Sequence, residues 1–153
     1  MVCLGNICRS PMAEGILQDL IIQHRLPWTV ASAGTASYHT GSPPHKLAQK
    51  ICQKHNIRIA HQRARSFIAS DMLDFDKIYA MSADVLEEIK RLSGPSFNPD
   101  KSGLLLDECY PGANRSVPDP WYGTEKDYVT AFQLIEEACH ALIRKHTFHT
   151  FSA

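Results

Sequence analysis

The first eleven residues, MVCLGNICRSP, hold a cysteine and an arginine separated by five residues. A loop between a strand end and a helix start directs its backbone N–H groups into one concavity, and an arginine fork matches two phosphate oxygens. Gly5 and Asn6 tolerate left-handed backbone angles, so a tight loop is possible here. Backbone N–H groups and an arginine stabilise a cysteine thiolate, so Cys3 is predicted to be a nucleophile in an anion pocket. The predicted phosphate-binding residues are Leu4, Gly5, Asn6, Ile7, Cys8 and Arg9.

A second stretch, SVPDPWYGT, supplies a carboxyl group. A thiolate that attacks phosphorus displaces an alkoxide or phenoxide, and this leaving group needs a proton. Asp119 is the candidate general acid, and the rings of Pro118 and Pro120 limit where its carboxyl group can go. Once ionised, the same Asp119 could act as the base that activates water for hydrolysis of a cysteinyl-phosphate.

Three aromatic residues could form a slot around the reacting phosphate. Trp121 and Tyr122 closely follow the candidate acid, and Tyr38 belongs to an earlier loop. A flat ring stacks well between aromatic faces. The slot therefore favours phosphotyrosine over the shorter phosphoserine.

These motifs together resemble the low-molecular-weight protein tyrosine phosphatases. The opening stretch is similar to the C-x5-R-S loop of that family, and residues 119–123 to its acid loop, in which D-P precedes two aromatic residues. Residues 32–44 resemble its pocket wall, and residues 75–81 its third strand. The resemblance covers residues 1 to about 145. It implies a cysteine-dependent phosphomonoesterase that hydrolyses phosphotyrosine in proteins through a cysteinyl-phosphate intermediate and releases inorganic phosphate.

The resemblance also implies a set of supporting residues. Asn6 would hold the strained loop through a network with Ser32 and His61, and Ser10 would hydrogen-bond the thiolate. His61 is separated by two residues from the Ala-Arg pair that follows it, where the family commonly has one. Ser82 stands where many members have Asp, a change for which the sequence offers no physical account.

The same resemblance implies that Tyr38 and Tyr122 line the pocket entrance, and it places Trp121 where the family often has Tyr.

Two other classes of enzyme share this fold and its loop. Protein-arginine phosphatases carry Thr in place of Ile7, which presses on the substrate, so Ile7 favours an aryl phosphate. Thiol-dependent arsenate reductases relay a disulfide to two neighbouring cysteines, and the remaining cysteines here are far apart: Cys52, Cys109 and Cys139.

Two non-enzymatic interpretations are disfavoured by the same residues. A phosphotyrosine-binding module derived from a phosphatase would have lost Cys3, Arg9 or Asp119, and the chain keeps all three. A zinc site would need cysteine spacings that the chain does not have. No cofactor and no metal is expected.

The loop holds a second thiol, Cys8. A reactive thiolate is the first group to be oxidised, and a neighbouring thiol can capture the sulfenic acid as a disulfide. We therefore expect Cys3 and Cys8 to form a reversible, inactivating disulfide.

Strands that alternate with helices predict a parallel sheet covered on both faces. With the resemblance, this implies a three-layer α/β/α fold around a four-stranded, twisted parallel sheet of order 2-1-3-4. The first strand is expected to be truncated, because only Met1 and Val2 precede Cys3. The other predicted strands are 28–33, 77–81 and 104–106, and the predicted helices are about 10–24, 46–54, 67–73, 83–92 and 125–144.

The composition of the 153 residues fits a single phosphatase domain, 1–153, with a disordered tail over 146–153. Sixteen basic residues balance sixteen acidic ones, so neither nucleic acid nor a membrane is an expected partner. Phosphotyrosine-containing proteins are the expected partners. Five cysteines, an odd number at irregular spacing, indicate a reducing compartment, and the expected location is cytoplasmic.

Overall fold

A computed structural model describes residues 1–148, with Phe148 described by its backbone alone. Five α-helices and four strands alternate along it. The strands are β1 (Val2–Cys3), β2 (Ala33–Gly34), β3 (Ile78–Ala80) and β4 (Ser102–Leu104), and the helices are α1 (Arg9–Gln23), α2 (Lys46–Lys54), α3 (Asp71–Asp74), α4 (Ala83–Ser93) and α5 (Glu125–Phe148).

All strand pairs are parallel, and the sheet order is β2-β1-β3-β4, which confirms the predicted topology. The strand β1 is central: Val2 is opposite Ala33 on one side and Ala80 on the other. Cys3 ends this strand and is opposite Gly34. The reactive loop thus leaves the carboxyl end of a central strand, where ligands of such sheets bind.

Two apolar clusters cover the two faces of the sheet, and β1 contributes to both because its side chains alternate. Cys3 packs into the larger cluster with the buried faces of α1, α2 and α5, which include Met12, Ile51 and Phe132. Val2 packs into the smaller one with α4, whose Val85 is buried. The molecule therefore has three layers, as predicted. No helix within residues 1–148 has the length and apolarity needed to cross a membrane.

The strands are shorter than the sequence indicated. The prediction of a strand over 28–33 is wrong in its bounds, since β2 holds only Ala33 and Gly34, matching the two residues of β1. The prediction for 104–106 is also displaced. The strand β4 ends at Leu104, and a 3-10 helix over Leu105–Glu108 turns the next leucines into the larger apolar cluster.

Two helix predictions need correction at their ends. The backbone N–H of Phe67 donates to the Gly34 carbonyl, which keeps this segment extended, so α3 begins only at Asp71. Helix α5 continues to Phe148 and takes in the first residues of the tail expected to be disordered, 146–148. The rest of that tail, 149–153, lies outside the described residues.

Candidate active site

The loop between β1 and α1 closes tightly on itself. Asn6 has a left-handed φ of 56°, as expected for an asparagine in such a loop. Gly5 does not use its left-handed freedom; a Cβ there would lie 3.1 Å from Cδ2 of His39, so close approach explains the glycine. Gly34 is restricted in the same way, since its Cβ would lie 2.8 Å from the Leu4 carbonyl oxygen.

The Cys3 sulfur lies at the floor of this loop and is buried. Its Sγ is 3.0 Å from the Ser10 hydroxyl, and the Asn6 backbone N–H donates to it over 3.3 Å. Ser10 is the second residue of α1, so the positive end of that helix also faces the sulfur. A thiolate at this position would accept both hydrogen bonds.

A hydrogen-bonded network holds the loop from behind. The side-chain amide of Asn6 donates to Ser10 Oγ over 2.8 Å and to Ser32 Oγ over 2.9 Å, so the structure brings these three predicted residues together. Its carbonyl oxygen accepts from the Arg65 backbone N–H over 3.0 Å.

The predicted supporting role of His61 is wrong. Its side chain is exposed, and the place that it was expected to fill in the network is taken by the backbone of Arg65. The next residue, Gln62, turns inward and donates to the Pro11 carbonyl over 3.1 Å. The extra residue before Ala64 and Arg65 thus leaves His61 on the outside of the loop.

Arg9 joins the loop to the candidate acid. Its guanidinium is buried; Nη1 donates to the Val117 carbonyl over 3.0 Å, and Nη2 lies 3.6 Å from Oδ2 of Asp119. The other Asp119 oxygen accepts from the Trp121 backbone N–H over 3.1 Å. The three residues predicted to perform the chemistry, Cys3, Arg9 and Asp119, therefore line one cavity of about 180 Å³.

Aromatic and apolar side chains form the rest of that cavity. Trp121 is 37% exposed, whereas Tyr38 and Tyr122 are 78% and 97% exposed and stand at the rim of the cavity. Ile7 is buried and closes the inner side. The remaining lining residues include Leu4, Gly5, Cys8 and His39.

Sequence reasoning missed two histidines beside this cavity. The His39 ring lies 5.2 Å from the Trp121 ring, and His45 lies 5.6 Å from it in an edge-on arrangement. His45 precedes α2 directly and caps it. Its position after Pro43 and Pro44, just ahead of an apolar periodicity, was the available signal, but histidine is not among the preferred capping residues.

The second thiol of the loop, Cys8, is buried against α5. Its Sγ is buried 3.4 Å from the Tyr128 hydroxyl, and burial raises the pKa of the Cys8 thiol to about 12. Cys8 is therefore a neutral thiol at neutral pH.

Ser82 lies directly before α4 and is buried. Its neighbours tie the sheet to the arginine, because Met81 accepts a backbone hydrogen bond from Val117 over 2.7 Å. Within residues 1–148, His, Cys, Asp and Glu side chains form no group of three or more that could hold a metal ion.

The sequence and the fold were compared with known proteins. The family model described as low molecular weight phosphotyrosine protein phosphatase matches residues 1–149. A low molecular weight protein-tyrosine-phosphatase of Staphylococcus aureus is 39% identical over 145 residues, which cover 93% of this chain and 88% of that protein. A tyrosine phosphatase structure from Entamoeba histolytica superposes with a TM-score of 0.88 at 34% identity, covering 98% of this chain and 96% of that one. A Drosophila arginine phosphatase superposes with a TM-score of 0.86 at 31% identity, covering 95% and 94%.

Proposed function

Because the chain belongs to the low-molecular-weight protein tyrosine phosphatase family, we propose that Cys3, Arg9 and Asp119 perform the two-step hydrolysis of phosphotyrosine that characterises it. The observation that carries this assignment is the Cys3 sulfur. It is buried in an anion-binding loop, in hydrogen-bond contact with Ser10 and the Asn6 N–H, and it shares a cavity with an arginine and an acid.

In the first step the Cys3 thiolate attacks phosphorus while the bond to the tyrosine oxygen breaks. Arg9 and the loop N–H groups bind the phosphate oxygens as charge develops on them. Asp119 gives its proton to the departing phenoxide, which leaves as neutral tyrosine. The product of this step is a cysteinyl-phosphate.

In the second step a water molecule attacks that intermediate. The Asp119 carboxylate, now ionised, takes a proton from the water as its oxygen bonds to phosphorus, and the sulfur leaves as a thiolate. Inorganic phosphate is released, and both Cys3 and Asp119 return to their starting states. Ser10 stabilises the leaving thiolate through the same hydrogen bond that it makes in the free enzyme.

The test is hydrolysis of p-nitrophenyl phosphate in the presence of EDTA. We expect Cys3→Ser to abolish turnover and Asp119→Asn to lower kcat by about 100-fold, as removal of a general acid does. Cys109→Ser, a change at a half-buried thiol of another loop, is the matched control and should retain activity. Undiminished turnover by Cys3→Ser would refute the assignment.

The substrate preference follows from the cavity. Its aromatic rim and the buried Ile7 suit a phenyl ring, so phosphotyrosine peptides should be hydrolysed faster than phosphoarginine peptides. The reverse order would instead favour the arginine phosphatase interpretation. Both rates can be compared on one peptide sequence carrying either residue.

Regulation by oxidation is a further part of the proposal. Peroxide would convert the Cys3 thiolate to a sulfenic acid with release of water, and the Cys8 thiol would then form a disulfide and release a second water. A dithiol reductant would restore both thiols. Cys8→Ser should recover less activity than the wild type after peroxide and reductant; full recovery would contradict this protective role.

A catalytic thiol must stay reduced to act as a nucleophile, and this supports a location in a reducing compartment such as the cytoplasm. Cell fractionation with an antibody to the chain tests it, and recovery outside the cytoplasmic fraction would contradict it.

A further inference from the structure

His45 contacts four parts of the molecule near the active site: α2, the phosphate-binding loop, α5 and the segment that follows Asp119. It is the N-cap of α2, its Nδ1 accepts a hydrogen bond from the Leu47 backbone N–H over 3.1 Å, and its own backbone N–H donates to the Ile7 carbonyl over 2.8 Å. One residue therefore joins a helix start to the phosphate-binding loop.

The imidazole ring of His45 lies between two aromatic side chains. It stacks on Tyr128 of α5, with centroids 5.2 Å apart and planes at 23°, and its other contact is the edge-on Trp121 ring. Tyr128 is fully buried and contacts the Cys8 sulfur, so the support behind the ring is rigid. The ring can neither rotate nor withdraw without loss of the cap.

Trp121 connects this support to the acid. Its backbone N–H donates to Asp119 Oδ1, so a displacement of the tryptophan moves the carboxylate as well. His39 also touches the Trp121 ring, but it belongs to the pocket-wall loop and caps no helix. His45 is thus the anchored partner of the tryptophan.

The cap also fixes the chemical form of the ring. Because Nδ1 accepts a hydrogen bond, its lone pair must be free and the proton must sit on Nε2. A positive charge at the first turn of a helix would oppose the helix dipole, and burial lowers the pKa of His45 further. A neutral ring in one orientation is the form that packs against Trp121.

We propose that His45 is a positioning residue, which holds the acid loop, residues 117–124, in register with the phosphate-binding loop and so places Asp119 against the leaving group. The inference rests on the proposed function, in which Asp119 is the general acid. It adds a residue at the N-cap of α2 that determines the position of Asp119 without contacting the phosphate or the reacting atoms.

The test compares the hydrolysis of two substrates whose leaving groups differ in their need for a proton. Phenyl phosphate releases a basic phenoxide, whereas 2,4-dinitrophenyl phosphate releases an anion that needs no acid. The value of kcat/KM reports the steps up to departure of the leaving group. His45→Asn keeps a side-chain oxygen for the cap and removes the ring, so it isolates the ring contact.

We expect His45→Asn to lower kcat/KM for phenyl phosphate about tenfold, as a small misplacement of a catalytic group does, and that for 2,4-dinitrophenyl phosphate less than about twofold. His45→Phe keeps a ring against Trp121 and loses the cap, and should retain most of the phenyl phosphate activity. An equal fall with both substrates, no fall, or a selective fall in His45→Phe as large as in His45→Asn would overturn the proposal.

His55 provides the matched control. It caps the other end of α2 and stacks on Phe132 of α5, with centroids 4.3 Å apart and planes at 21°. His55→Asn should leave the ratio between the two substrates unchanged. A changed ratio would show that disturbance of α2 in general, and not the contact with Trp121, is responsible.

Asp119→Asn distinguishes failure of the proposed general acid from failure of the proposed role of His45. If it loses no more activity on phenyl phosphate than on 2,4-dinitrophenyl phosphate, the acid assignment itself fails. If it shows the selective loss and His45→Asn does not, only the role of His45 fails. Thermal unfolding identifies any variant that does not fold. If His45→Asn does not fold, His45→Phe decides the outcome. Near-complete loss of activity by His45→Phe on phenyl phosphate, but not on 2,4-dinitrophenyl phosphate, would refute the role of the ring.

Discussion

The network around Asn6 yields a prediction that can be worked out from its contacts. Asn6→Ala removes two donated hydrogen bonds, to Ser10 and Ser32, each worth about 1 kcal/mol net. It also leaves the Arg65 N–H without its acceptor, at a cost of about 1–2 kcal/mol. Alanine at the left-handed φ of 56° costs about 1 kcal/mol more.

These contributions add to about 4–5 kcal/mol, a large part of the 5–15 kcal/mol that stabilises a typical domain. The chain offers a matched control in Asn56, which has a φ of 60° and an exposed side chain. Asn56→Ala changes the backbone preference in the same way and should cost only about 1 kcal/mol. The difference between the two variants measures the network alone, about 3–4 kcal/mol.

Urea denaturation at neutral pH gives the free energy of unfolding for each variant, and an unchanged slope shows that the unfolded states are comparable. Asn6→Gly should be about 1 kcal/mol more stable than Asn6→Ala, because glycine adopts the left-handed angle freely. If Asn6→Ala and Asn56→Ala lose the same free energy, the network does not stabilise the loop and the reasoning is refuted.

Three further predictions concern packing and thiol chemistry. Gly34→Ala should lower kcat/KM for p-nitrophenyl phosphate at least about tenfold, because the new Cβ would push on the Leu4 carbonyl, and an unchanged value would show that the loop yields without cost. Gly15→Ala places a Cβ 2.5 Å from Cγ2 of Ile59, and such overpacking costs roughly 1–3 kcal/mol of stability. Differential scanning calorimetry should therefore show a lower Tm despite the better helix propensity of alanine, and a higher Tm would contradict this. Burial raises the pKa of Cys8 to about 12, which keeps its thiol protonated below that pH, so iodoacetate at pH 7 should leave Cys8 unmodified in the folded protein, as peptide mass mapping would reveal.

Local patterns predicted the fold where one physical cause dominates. The helix over 46–54 has the predicted bounds, and it begins shortly after Pro43 and Pro44. The strands depend on their partners instead. Residues 28–31 have the composition of a strand, but β1 pairs only with Ala33 and Gly34, which follow them. The length of β2 is therefore set by its partner and not by the local preference of residues 28–31.

The candidate site divides in the same way. Cys3, Asn6, Arg9 and Ser10 lie within eight consecutive residues, so their spacing predicts how they meet. His39 lines the cavity and His45 contacts Trp121 because of the path of the segment between β2 and α2. Histidine occurs in too many settings for its type alone to indicate a site. His61 shows the converse, since one additional residue in a loop turned a candidate toward solvent.

The position of Asp119, the proposed acid, relative to Cys3 depends on the backbone of one residue, Val117. The Val117 N–H donates to the Met81 carbonyl at the end of β3, and the Val117 carbonyl accepts from Arg9. The segment 117–124 is therefore fixed to the sheet on one side and to Arg9 on the other, two residues before Asp119. With Trp121 held two residues after it by His45, the carboxylate is restrained from both directions while 43% of its side chain stays exposed. In the proposed mechanism Asp119 donates a proton in one step and accepts one in the next. Such a group needs both a fixed position and access to substrate and water.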